Sequence, residues 1–141
     1  MIDVENLLFD TFYNRFQPLH EDANITAGYD ELNASFPCVI FRQTNNQPYR
    51  NSITDDCAEN HTRITVEIEV VSDKVATGRS ECKELLNDAD DIMQSLKFRR
   101  VHLNRPLNID RTKWRQYARY EVIVGKPIDI EGNTVYQMYR R

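Results

Sequence analysis

The chain has 141 residues, of which 40% are hydrophobic and 28% charged, with 18 Lys and Arg against 22 Asp and Glu. That length suits one domain able to bury a core without disulfide or metal staples, and the lack of any long apolar run excludes a helical membrane protein. The formal charge of −4 removes the sequence-independent attraction to phosphates on which most DNA-binding domains depend, so nucleic acid is not the favoured partner.

Val4, Leu7, Leu8, Phe12 and Phe16 share one helical face, Asp3 stands where a cap would and Pro18 follows, which predicts a first helix over residues 3–16. Its acids, with no basic leader or small-residue cleavage site, do not read as an export signal. Residues 17–35 are polar, contain Gly28 and hold no sustained period, so they read as a connecting loop with a short extended piece around Ile25. FPCVIFRQT, residues 36–44, predicts a strand with Pro37 at its start. The polar run 45–61 exceeds the usual hairpin loop of about two to five residues and is the expected recognition element.

The two clearest periods lie back to back between Thr62 and Phe98. Ile64, Val66, Ile68 and Val70 alternate with Arg63, Thr65, Glu67 and Glu69, the pattern of a strand with one face buried. Cys82, Leu85, Leu86, Ala89, Ile92, Met93 and Leu96 then recur at helical spacing, with acids and lysines between them. Val101 and Leu103 suggest a short strand broken at Pro106 and followed by a turn. QYARYEVIVG, residues 116–125, alternates again, and Gly125 and Pro127 are expected to end it. Residues 126–141 read as a terminal hairpin or arm around Glu131, Gly132 and Asn133. The predicted class is α+β: a mainly antiparallel sheet of about four strands with two helices on one face, a domain over 1–125 and a C-terminal β-arm over 126–141.

No catalytic signature interrupts this pattern. Asp55 with Asp56, and Asp88 with Asp90 and Asp91, are the carboxylate groupings a two-metal nuclease would need. The first pair lies in a loop with no matching histidine and the second set is expected on the wet side of the helix, so both read as solvated surface. His20, His61 and His102 are scattered, and four glycines form no phosphate cradle. Cys38, Cys57 and Cys82 are odd in number and widely spaced, which fits reduced thiols and neither a disulfide framework nor a metal site. No cofactor is expected. RRVHLNRPLNIDRTKWRQYARY, residues 99–120, is basic and interleaved with aromatics, the look of a single-strand binding surface, but Arg, Tyr and Trp are also the types enriched in protein contacts. The protein-contact or core reading is the simpler one.

Taken in order, the N-terminal helix, polar loop, FPCVIF strand, long loop, RITVEIEVVSD strand, TGRSECKELLNDADDIMQSL helix and final RYEVIVG strand resemble the tail terminator (neck or tail-completion) proteins of long-tailed bacteriophages over residues 1–125. The resemblance implies a non-enzymatic virion protein that forms a ring, usually a hexamer, at the head–tail junction after assembly in the host cytoplasm. Its implied partners are further copies of itself, the tail tube protein and a head–tail connector or stopper protein. DNA would pass through the lumen without sequence-specific binding, and no membrane is involved. A ring subunit needs loops, an arm or a sheet edge to reach its neighbours. The expected contact residues are Tyr49, Arg50, Asp55 and Asp56 in the long loop, Arg63, Glu67 and Glu69 on the wet face of the central strand, and Tyr136, Tyr139 and Arg140 in the arm. The other readings are a head-side connector or adaptor and a small metal-dependent nuclease or resolvase.

Overall fold

The computed structural model describes residues 1–28, 35–48, 61–109, 111–130 and 133–139. Among these, two helices and seven strands follow in the order α1 (Glu5–Phe16), β1 (Asn24–Thr26), β2 (Cys38–Pro48), β3 (His61–Ser72), α2 (Gly78–Ser95), β4 (Arg99–Leu103), β5 (Leu107–Ile109), β6 (Lys113–Ile130) and β7 (Asn133–Tyr139). The class is α+β, as the sequence predicts. The sheet is larger than the expected four strands and is mixed: its order is β1-β2-β3-β6-β4, β1 lies parallel to β2, and β5 and β7 also pair with β6.

The alternation in β3 is realised without a slip. Ile64, Val66, Ile68 and Val70 are fully buried beneath the helices, together with Val39 and Phe41 of β2 and Ala118, Tyr120, Val122 and Val124 of β6. Both helices close over this face. Phe12 and Phe16 of α1 stack at 5.2 Å between ring centres and Phe12 meets Phe41 at 5.0 Å. Cys82, Leu85, Leu86, Ala89 and Met93 form the matching stripe of α2. Leu7, expected in the stripe of α1, is 49% exposed. The helix starts two residues later than predicted, with Asp3 accepting a hydrogen bond from Glu5 N at 3.2 Å.

β6 departs most from expectation. It runs through Gly125 and Pro127, the predicted stop, because β7 folds back beside it and supplies ladder partners from Ile123 to Ile130, with an irregularity between Val124 and Pro127 that accommodates the missing donor. The predicted turn after Pro106 holds β5, which pairs with Lys113–Arg115. β5, β4 and β7 thus lie end to end along one side of β6, while β3 covers the other side from Trp114 to Gly125. No helix among the described residues is long and apolar enough to cross a membrane.

Candidate interaction surfaces

On the face of the sheet turned away from the helices, the polar positions of the alternating strands meet across the ladder. Arg42 in β2, Glu67 in β3 and Arg119 in β6 are direct register partners in a row. Arg42 Nη2 donates to Glu67 Oε1 at 2.9 Å and to Glu69 Oε2 at 3.2 Å, Arg119 Nε donates to Glu67 Oε2 at 3.3 Å, and Arg115 Nη1 lies 3.6 Å from Glu69 Oε1. The two carboxylates retain only 13% and 14% of their side-chain exposure. Burial pushes the Glu67 carboxyl up, but hydrogen bonds and charge from Arg42 and Arg119 outweigh it and hold the group below its ordinary value. The row continues as aromatic contacts, with the Arg119 guanidinium 5.6 Å from the centre of the Tyr117 ring and the His102 ring at 5.6 Å from the same ring. At the other end of this face Cys38, Ile40 and Val71 form a small buried apolar cluster with Phe36 packed against it.

Glu67 and Glu69 are therefore bound within the subunit and do not stand as a wet row. Arg63 occupies the same strand, half-buried. Tyr136 is elsewhere, in an apolar groove of about 220 Å³ that it shares with Leu7, Leu8, Leu96, Val124 and Met138. Tyr139 lies in β7 opposite Ile123. Tyr49, Arg50, Asp55, Asp56 and Arg140 fall outside the described residues, as do most of the predicted loop 45–61 and Cys57.

A second polar site lies between α2, β4 and β6, in a cleft of about 430 Å³ lined by Lys83, Glu84, Asn87, Arg100, Leu103 and Gln116 among others. Asp90 sits at its wall. Contrary to the wet-side reading, Asp90 is only 8% exposed and accepts from Tyr120 Oη at 2.8 Å, Gln94 Nε2 at 2.7 Å and Arg100 Nη1 at 3.3 Å. Burial, followed by the bond to this carboxylate, drives the Tyr120 phenol far above its ordinary value, so it remains a neutral donor. Asp88 is also engaged: His20 Nε2 lies 2.5 Å from its Oδ2 and the His20 ring stacks on Phe16, tying the segment before β1 to α2. The Cys82 thiol, buried against the end of β3 and Trp114, is pushed up to about 12 by desolvation and behaves as packing. Among the described residues, no group of three or more His, Cys, Asp or Glu is arranged to share a metal ion.

What sequence reasoning missed are the roles of Arg42, Arg115 and Arg119 as partners of Glu67 and Glu69, and of Asp90 as the buried acceptor of Tyr120. Opposite charges at facing strand positions carried the signal for the first three, but it becomes readable only with the register in hand. Searches against known protein families and against curated proteins returned no match.

Proposed function

We propose that the chain is a structural subunit of a homo-oligomeric ring that terminates a phage tail tube and joins it to the head–tail connector. The observation that carries this reading is the order of elements. Helix, antiparallel β2–β3 pair, long second helix and returning strand β6 follow one another as in the tail terminator resemblance, and both helices lie on one face of a single sheet. Such a layout leaves the opposite face and the sheet edges for neighbours. Two of the three acids that a nuclease reading would use on α2 are committed to the fold, Asp88 by His20 and Asp90 by three donors, while Asp91 is exposed. Those bonds favour the structural reading over hydrolysis.

The test is electron microscopy of the purified protein mixed with tubes polymerised from tail tube protein. Rings seated at tube ends are the expected result. Binding only to isolated head connectors would move the protein to the head side of the junction. Cleavage of linear or branched DNA with magnesium or manganese, lost on Asp88→Ala or Asp90→Ala variants that still fold, would replace the structural reading altogether.

A further inference from the structure

The two ends of the sheet differ in charge and are open in the same way. Every residue of β4 is exposed, and β6 is the only strand it pairs with among the described residues, none of which forms a ladder with its outer edge. Around that edge lie Lys97, Arg99, Arg100 and Arg105, interleaved with Val101, Leu103 and Leu107, which are 39%, 44% and 40% exposed. Arg100 is bound to Asp90. Arg99 and Arg105 have no ion-pair partner among the described residues. At the opposite end, β1 pairs with β2 alone among the described residues, and exposed Glu21 and Asp22 lead directly into it. Asp22 and Asp73 are both within electrostatic reach of Lys74, whose ammonium is bound to Glu81 Oε2 at 2.6 Å, so the acids outnumber the bases at this corner.

We infer that the β4 edge is the docking surface for the β1 edge of a second copy of this chain, joined head to tail. This deepens the ring reading above by naming its contact. Strand directions agree with it: β1 and β2 run one way, β3 returns, β6 runs with β1, and β4 returns again. A neighbour in the same orientation therefore sets its β1 antiparallel to β4, the better of the two ladder geometries. In that ladder Glu21 and Asp22 fall beside Arg105, past the end of β4, while Arg99 at the far end adds only longer-range attraction, and Val101 and Leu103 lose their exposure to water. Exposed apolar side chains between the arginines favour a protein over a phosphate backbone, which offers them nothing to bury against. Because the two surfaces are unlike, the contact is heterologous and repeats until it closes into a ring or grows open-ended.

The experiment is sedimentation velocity at low ionic strength on wild type, on Arg99→Glu with Arg105→Glu, on Glu21→Arg with Asp22→Arg, and on an equal mixture of the two variants. All four positions are exposed, and circular dichroism melts check that each variant folds. Wild type should self-associate and weaken with added salt, and each variant alone should associate about tenfold or more weakly, since like charges then face one another. The mixture should recover association, because each reversed edge finds its complement in the other variant. A wild type that remains monomeric, variants that associate like wild type, or a mixture that fails to recover would each overturn the contact. So would a duplex-DNA mobility shift by wild type that is lost on Arg99→Glu with Arg105→Glu while association is unchanged, which assigns the basic edge to phosphates. Rings insensitive to both variants would remove this contact and leave the tail reading intact; assembly through this contact with no binding to tube ends would do the reverse.

Discussion

Glu67 shows how a residue that reads as surface can belong to the interior of a ladder. Its carboxylate is held between Arg42 and Arg119, and those bonds keep its folded-state titration below the ordinary 4.5. A depressed carboxyl stabilises the fold fully above its unfolded value and loses that contribution as pH falls through the folded one. Glu67→Gln should therefore cost about 1 kcal/mol at neutral pH, the arginines being partly screened by solvent, and should flatten the loss of Tm between about pH 5 and pH 3. Parallel melting curves of the two proteins across that range check this; equal slopes would remove the network from the stability of the fold. Asp90 is a harsher case. Asp90→Ala leaves the buried Tyr120 hydroxyl without its acceptor and should destabilise by about 2–4 kcal/mol, seen as a lower urea midpoint at unchanged slope. Asp90→Asn, which keeps one acceptor oxygen, should lose less.

At the level of elements, the strongest constraint on α2 is its first residue. A Cβ on Gly78 would stand 2.6 Å from Cδ1 of Trp114, whose indole Nε1 donates to Val75 O at 3.2 Å and holds the ring in place. Gly78→Ala should thus destabilise by about 1–3 kcal/mol although alanine is the better helix former, and Trp114 fluorescence should shift with it. A neutral or stabilised variant would show that the ring swings aside freely. The same element marks how far the sequence could be read. The stripe from Cys82 to Met93 and the alternation from Ile64 to Val70 were legible because each pattern follows from a single buried face. Asp90 was not, since its partners Arg100 and Tyr120 lie 10 and 30 residues away and nothing local marks the carboxylate as buried. β1 and β5, three residues each, are too short to carry a period, and β6 continues past Gly125 and Pro127 only because β7 is there to pair with it. Of the contact residues read from sequence, Glu67 and Glu69 lie on the face turned away from the helices, bonded to Arg42, Arg115 and Arg119 of the same chain, partners that only the strand register reveals. The charged edges went unread because an edge exists only once strand order is known.

For the whole molecule, charge is distributed far more unevenly than a net of −4 suggests. Between Lys97 and Arg119 the sequence holds eight of the 18 basic residues and a single acid, Asp110. Of these, Lys97, Arg99, Arg100 and Arg105 lie at the β4 end of the sheet, whereas Arg115 and Arg119 of β6 face Glu69 and Glu67 of β3, so only the β4 end carries an excess of positive charge. The position of β6 has a different consequence, for the nascent chain. Through synthesis of α2 and β4, β3 has β2 on one side and nothing on the other, and β4 and β5 have no strand to pair with. When residues 113–130 emerge, they seal β3 along 12 positions and give β5, β4 and β7 their shared support. Until then the longest apolar strand of the core is an open edge, the kind of surface on which chaperones act and along which incomplete chains stick together. β6 is thus the strand on which β3, β4, β5 and β7 all depend for a partner.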